Sequence, residues 1–267
     1  MQQARKVAKS YSAGSFNRQW KRFFEGHFEA KTLYNSSVSD DLKLFFAAFE
    51  IQPADLQGRL VLDAGCGSGR LSAALAVLGA QVVALDLADS VMLAARHYRH
   101  PRLSYVQASI QRAPIRTRAF DFVWSAGVLH HIGETEMCFR ALARMVKPGG
   151  KLAVWLYSSE RFSPFLAARR MLPFVHLLPD RVQYAMCTVL SVPLVLAGPL
   201  APVIGRKPRA VTWESFATAR FGLYDALTPR YVRRYRFGTV QNWFVTNGFT
   251  EIKRWSELGV SGRLVHT

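Results

Sequence analysis

The chain has few cysteines, little acid and no internal repeat. Its three cysteines, Cys66, Cys138 and Cys187, stand far apart without paired spacing, which argues against a disulfide framework or a zinc site. No metal is expected, and a reducing cytoplasm is the natural compartment. Only 18 acids face 35 lysines and arginines, a net charge of +17. That balance favours anionic partners, whether membrane, nucleic acid or acidic substrate, and alone does not separate them. Arg5, Lys6 and Lys9 are followed by no long apolar run, so a secretory signal peptide is not expected. With 267 residues, half of them apolar, the chain can bury a full core and suits one α/β domain with additions.

What is present begins at Val61 with VLDAGCGSGR: an apolar strand that ends on Asp63 and runs into Gly65, Gly67 and Gly69. Glycines tolerate positive φ and carry no Cβ, so the backbone bends tightly and a nucleotide-like ligand can lie against it at a helix start. Asp86 closes the next apolar run, VVALD, at the distance where a doubly wound sheet offers a carboxylate to ribose hydroxyls. Asp86 can also cap the next helix, beside Asp89 and Ser90. Charge selects the ligand. A dinucleotide brings a diphosphate that Asp63 would repel, whereas S-adenosylmethionine brings an ammonium and a sulfonium. The G-x-G-x-G spacing also lacks the later glycine of the G-x-G-x-x-G fingerprint.

These residues resemble the first motif of the class I S-adenosylmethionine-dependent methyltransferases, and the likeness continues. YVQASIQRAPI from Tyr105 is similar to that family's third-strand motif, FDFVWSAGVLHHI from Phe120 to its fourth, and RMVKPGGKLAVWLY from Arg144 to its turn and fifth strand. Four ordered motifs thus cover residues 60 to 157. The resemblance implies S-adenosyl-L-methionine as cofactor, with Asp63, Gly65, Cys66, Gly67 and Gly69 around its methionine end. Asp86 and Leu87 would sit at the ribose, Ser109 and Ile110 near the adenine, and Ser125 at the fourth-strand end. Where the family often has an acid that accepts from the adenine amino group, this chain has Ser109, whose oxygen can accept without charge. Cys66 fills a position that needs a small side chain.

The implied fold is α/β and Rossmann-like: a doubly wound, mostly parallel seven-stranded sheet with a late antiparallel hairpin, an N-terminal helical cap and a long apolar insert after strand 5. Strands are expected near 59–63, 82–86, 104–108, 120–125 and 151–157, and helices near 70–78, 90–97 and 134–145. A late strand pair is expected at 249–255 and 262–267. The divisions read as a cap over 1–58, a cofactor-binding core over 59–157, an apolar and basic insert over 158–238, and a closing helix and strand pair over 239–267. FNRQWKRFFEGHF from Phe16 spaces its aromatics helically, and DDLKLFFAAFE from Asp40 reads as an amphipathic helix. In relatives the leading segment covers the cofactor, which gives Trp20 a shielding role.

Within the insert, Tyr184 to Gly205 carries no charge. Pro193, Pro199 and Pro202, with Gly198, are expected to break a helix there, and one crossing would part the last strands from the first five. The segment is either a buried lid or an apolar wedge in one leaflet. Arg169, Arg170 and Arg181 flank it on one side, and Arg206, Lys207 and Arg209 on the other, which suits an anionic lipid surface. A cytoplasmic protein, peripheral at the inner face of the membrane, follows from that choice.

His130 and His131 follow the fourth strand at the sheet edge where open α/β folds place ligands, and either can serve as a general base if the acceptor is a hydroxyl. Arg230, Arg233, Arg234 and Arg236, interleaved with Tyr231, Tyr235 and Phe237, offer forked donors to an acceptor's phosphate or carboxylate. No Asn-Pro-Pro-aromatic, Asp-Pro-Pro-aromatic or Pro-Cys stretch is present, so the family's usual nucleobase machinery is missing. The reading is O-methylation of a hydrophobic or lipid-linked small molecule. RNA or another polyanion is the alternative acceptor, and a non-catalytic cofactor-binding or membrane-surface scaffold is the alternative of another class.

Overall fold

The computed structural model describes residues 13–26, 36–160, 162–199 and 211–265. In chain order they form α1 (Ala13–Phe24), α2 (Val38–Phe49), β1 (Leu60–Ala64), α3 (Arg70–Val77), β2 (Gln81–Asp86), α4 (Ser90–His97), β3 (Leu103–Gln107), β4 (Phe120–Ala126), α5 (Thr135–Met145), β5 (Val146–Trp155), α6 (Pro164–Met171), α7 (Asp180–Leu196), α8 (Trp213–Leu227), α9 (Phe237–Thr246), β6 (Phe249–Arg254) and β7 (Gly259–Leu264). The seven strands lie in the order β3-β2-β1-β4-β5-β7-β6. The first five are parallel, and β7 runs antiparallel between β5 and β6. This is the expected Rossmann-like sheet with its late hairpin.

The central strands read as unbroken apolar runs because both faces are covered. Successive side chains enter opposite cores. Leu62 and Val123 pack with Phe139, Leu142 and Phe244 from α5 and α9. Val61, Phe122 and Trp124 pack with Phe45, Phe49 and Leu75 from α2 and α3. At the amino end of β4 the Asp121 carboxylate accepts from the Leu60 N–H at 2.9 Å and from Arg59 at 3.1 Å, which locks β1 to β4.

Three boundaries differ from expectation. Strand β5 begins at Val146, not near Lys151, because Pro148, Gly149 and Gly150 form a bulge between the Phe120↔Val146 and Phe122↔Lys151 pairs rather than a free turn. A Cβ on Gly150 would come within 2.9 Å of three carbonyl oxygens, those of Phe120, Asp121 and Lys147. The last strand is Gly259–Leu264, three residues earlier than read. Its Gly262 admits the Phe244 ring, which a Cβ would meet at 2.9 Å. Finally, α7 runs through Pro193 to Leu196. The proline lies in the last turn, and the chain leaves the helix only ahead of Gly198 and Pro199. Pro202, Gly205, Arg206, Lys207 and Arg209 lie outside the described residues.

Chain contacts divide the molecule into two units. The first comprises Met1–Asn17, Val38–Arg161 and Tyr231–Thr267, and holds the sheet. The second comprises Arg18–Ser37 and Phe162–Arg230 and is helical. Inside it Val175, Cys187, Leu223, Tyr224 and Leu227 form a core. Asp180 gathers Arg18, Arg22 and the Tyr224 hydroxyl around its carboxylate. Trp20 packs against Phe23 and Phe221 of this same unit, with ring centroids 6.0 Å apart in each pair.

Candidate functional site

The carboxyl ends of β1, β2, β3 and β4 carry most of the residues singled out by sequence, all in the first unit. After β1, Gly65, Gly67 and Gly69 take φ of +87°, +55° and +75°, a region that β-carbon-bearing residues avoid. The bend is also crowded: a Cβ on Gly65 would overlap the Val128 side chain, and one on Gly69 would lie 3.1 Å from the Tyr105 hydroxyl. Its amides are largely committed within the protein. Gly65 and Cys66 donate to the Leu85 carbonyl at 2.6 and 3.1 Å, Gly69 to the Cys66 carbonyl at 2.9 Å, and Gly67 to Asp86 Oδ2 at 2.9 Å.

Asp86 stands at the end of β2 and accepts from the N–H groups of Gly67 and, at 2.8 Å, Ala88. Burial raises its pKa, and the amides of Ala88, Gly67 and Leu87 oppose the rise. Asp63 is 4% exposed and accepts from the Ser72 hydroxyl at 2.5 Å. Burial lifts its pKa to about 7, against the Ser72 bond and helped by the neighbouring Asp86 and Asp41 charges. The Cys66 thiol is pushed well above its ordinary range by burial and by Asp86 and Asp63, so it stays protonated and is no nucleophile.

Ser109 caps the short turn after β3, accepting from the Gln111 N–H at 3.3 Å, and Ile110 beside it is buried in the sheet core. Leu87 packs partly buried on that core. Ser125 is fully buried and donates to the Ala64 carbonyl at 2.9 Å, joining β4 to β1. Asp89 makes no side-chain cap on α4. Its carboxylate takes Asn17 Nδ2 at 3.1 Å and Gln107 Nε2 at 2.6 Å, while its N–H donates to Asn17 Oδ1 at 2.6 Å.

The two histidines differ. His130 is fully buried and stacked on Tyr157 at 3.9 Å between ring centroids, and neither ring nitrogen has a hydrogen-bond partner among the described residues. Burial, then the neighbouring His131, pushes its pKa well below the ordinary value. It is a neutral ring. His131 Nδ1 lies 3.1 Å from the Tyr231 carbonyl oxygen, and the Phe16 ring meets it edge-on at 4.9 Å. A carbonyl only accepts, so Nδ1 carries a hydrogen and donates it.

The arginine-rich run lies along these histidines. Arg233 N–H donates to the His130 carbonyl at 2.9 Å, Tyr235 N–H to the Tyr157 carbonyl at 2.9 Å, and Arg234 Nε to the Ser158 carbonyl at 2.8 Å. The Arg233 and Arg236 side chains are exposed, and Arg230 belongs to the second unit, where its carbonyl accepts from Arg169. Sequence reading passed over Ser72, Phe16, Tyr157 and the ring-orienting backbone of Tyr231. Tyr157 alone had a signal: it follows a strand neighbouring the histidine strand, at the same sheet edge.

Residues 62–154 match a family model described as a methyltransferase domain. With the sheet order and the glycine turn, this makes them a methyltransferase domain of the class I, S-adenosylmethionine-dependent type. Over 102 residues the chain is 43% identical to the ubiquinone biosynthesis O-methyltransferase of Xanthomonas oryzae pv. oryzae (strain PXO99A), covering 37% of this chain and 43% of that one. The protein of the same name from Bordetella avium is 38% identical over 110 residues, 39% and 43% of the two chains. The matched stretch spans less than half the length of these curated relatives. Among solved structures, the Haloferax volcanii protein in complex with the Trm112 methyltransferase activator aligns at a TM-score of 0.56 and 14% identity, over 96% of this chain and 98% of that one. Magnesium protoporphyrin IX methyltransferase of Synechocystis PCC 6803 aligns at 0.50 and 17%, over 84% and 81%. At such identities the likeness is one of fold.

Proposed function

We propose that the chain is an S-adenosylmethionine-dependent O-methyltransferase acting on a hydrophobic or lipid-linked small molecule. The observation that carries this reading is His131: a histidine just beyond the carboxyl end of β4, its ring oriented by the Nδ1–H bond to the Tyr231 carbonyl, at the edge of the sheet where open α/β folds place ligands. Methylating a hydroxyl requires loss of its proton as the new bond forms, and an oriented imidazole is suited to take it. The name of the relatives that share residues around this turn, ubiquinone biosynthesis O-methyltransferase, supports a hydroxyl acceptor.

The turn suits the cofactor. Its amides of Gly65, Cys66, Gly67 and Gly69 already donate within the protein, so they do not form a cradle for a diphosphate. What remains is negative charge and a surface free of Cβ atoms. S-adenosylmethionine, when bound, supplies a methyl group on a sulfonium that is a good leaving group. Asp86, held by two N–H donors, keeps oxygen lone pairs for ribose hydroxyls, and Asp63 supplies charge opposite an ammonium. Ser109 and Ile110 would meet the adenine, the serine through its remaining lone pair. The chain's own contribution is then to align, desolvate and take a proton. His130, neutral and buried against Tyr157, fixes the floor beside His131.

The lipid-linked acceptor and the +17 charge also favour work at an anionic membrane face. The test is incubation with labelled methyl donor and fractionated cell extract. Label in the organic phase, lost in His131→Ala, is expected; label in RNA or protein would replace the acceptor class. No cofactor binding at all would overturn the enzyme reading.

A further inference from the structure

In the second unit, helix α7 is apolar on its outward side as well as on the side that packs into the core. Its inward stripe, at a spacing of four, is Gln183, Cys187, Ser191 and Val195. Its exposed stripe is Val182, Ala185, Val189, Val192 and Leu196, with Val189 69% and Leu196 57% exposed. A surface helix in water turns its apolar stripe to the core. Here the core side carries Tyr184, Met186, Cys187, Leu190 and Leu194, so the outward aliphatic residues are apolar surface beyond what the core takes up. Of the two buried polar side chains, Gln183 keeps an Oε1 without a partner among the described residues. Gln183 Nε2 donates to the Val175 and Leu178 carbonyls at 3.0 Å each, and Ser191 Oγ to the Thr188 carbonyl at 2.7 Å.

The outward face therefore has to be explained by what it meets. A shallow groove of about 490 Å³ runs along it, bordered by Arg181, Val182, Ala185, Met186, Val189 and Leu190. Just before the helix, Met171, Phe174 and Leu177 are each more than 70% exposed. Contiguous apolar surface of this kind marks an interaction site.

Charge identifies the partner. From residue 162 to 199 Asp180 is the sole acid, and it is neutralised by Arg18 and Arg22. Arg170 and Arg181 are exposed. A second copy of a chain with net charge +17 would be repelled. An anionic bilayer attracts those cations and accepts the aliphatic stripe. No described helix is long and apolar enough to cross a membrane, so the helix lies along the surface.

We propose that the outward face of α7 is a docking surface for an anionic lipid bilayer, with Val189, Val192 and Leu196 among the acyl chains and Arg170 and Arg181 at the headgroup phosphates. This deepens the lipid-linked acceptor reading and rests on it for its purpose. The geometry of the helix stands independently of it.

Flotation of the full chain with phosphatidylcholine vesicles, with and without phosphatidylglycerol, tests the proposal. The wild type is expected to float with the anionic vesicles. Val189→Asn, Val192→Asn and Leu196→Asn together should lower partitioning on the order of tenfold or more. Arg170→Glu or Arg181→Glu should lower it about fivefold each on anionic vesicles only. Because these positions are exposed, circular dichroism and S-adenosylmethionine binding should be unchanged, which excludes misfolding. Val189→Trp adds a second readout, a blue-shifted emission on vesicles. Unchanged flotation of the triple variant would overturn the proposal. So would self-association of the wild type that the same substitutions abolish without vesicle binding. Cofactor binding without vesicle binding sinks this inference alone, whereas vesicle binding without cofactor binding sinks the enzyme reading alone.

Discussion

Strand β4 and helix α7 are both apolar runs, and they dispose of their side chains in opposite ways. The first six residues of β4, Phe120 to Ser125, are buried, with Phe120 and Val123 in one protein core and Phe122 and Trp124 in the other. Helix α7 buries Gln183 and Ser191 and exposes Val189 and Leu196. An apolar run thus records only that something other than water lies beside it. In the first unit that neighbour is the protein's own helices. In the second, on our proposal, it is a lipid surface.

The largest expected effects fall in the first unit. His131→Ala should lower kcat by about 10²- to 10⁴-fold, the usual contribution of a positioned base, with cofactor affinity intact by calorimetry. Steady-state methyl transfer checks it, and a variant as fast as wild type would remove the base. Next comes Gly65→Ala. The left-handed φ and the overlap with Val128 together should weaken cofactor binding about thirtyfold or more. In the second unit, Gly222→Ala places a Cβ 3.2 Å from the Phe165 ring and should leave cofactor affinity where it was. Equal losses in both would mean that the glycine turn has no special part in binding.

A smaller effect follows from Asp63, whose carboxyl is raised to about 7 by burial. Below that pH the cofactor-free protein holds the proton, and an incoming ammonium favours the ionised form, so binding must release it. Affinity should therefore rise as pH is raised from 5 to 7, by up to about tenfold per unit. It should fall again once the ligand's own amino group deprotonates, near about 8. The sign for folding is opposite: a raised carboxyl favours the folded state below its unfolded pKa, and that contribution is lost as pH rises through about 7. Asp63→Asn should flatten the acid limb of the binding profile. Calorimetry in buffers of different ionisation enthalpy would detect the released proton, and a flat wild-type profile would rule out the pairing.

The sheet was readable from sequence because its strands are short, bounded by glycine and capped by motifs in order. Helix α4, read at 90–97, is found at Ser90–His97. Glycine was misleading where it served packing instead of turning. Gly150 sits in a bulge against three carbonyl oxygens, and Gly262 sits in mid-strand to admit Phe244. The gathering of Asp63, Asp86 and the glycines around one bend was visible in their spacing. The setting of the histidines was not, because the Tyr231 carbonyl that orients His131 is a backbone atom 100 residues away. Likewise, no local pattern showed that Pro193 would be carried inside α7, where it has no N–H to give the Val189 carbonyl and the tertiary packing of the helix outweighs that local loss.

The smallest effect sharpens the contrast between inward and outward faces of α7. Gln183→Leu removes an amide that serves two carbonyls, Val175 and Leu178; the Val175 carbonyl keeps the Leu178 N–H at 3.1 Å, so the loss is that of ordinary hydrogen bonds, about 0.5–1.5 kcal/mol. Val189→Gln adds an amide on the exposed side and should change stability by no more than ~0.5 kcal/mol in water. A polarity rule read from sequence would rank the two the other way, because Gln183→Leu makes the helix more apolar and Val189→Gln makes it less so. Hydrogen exchange of the α7 amides measures each locally: faster exchange in Gln183→Leu, with Val189→Gln like wild type, is expected. The reverse order would show that the helix presents its other face to the core, and the proposed lipid contact would lose its basis with it.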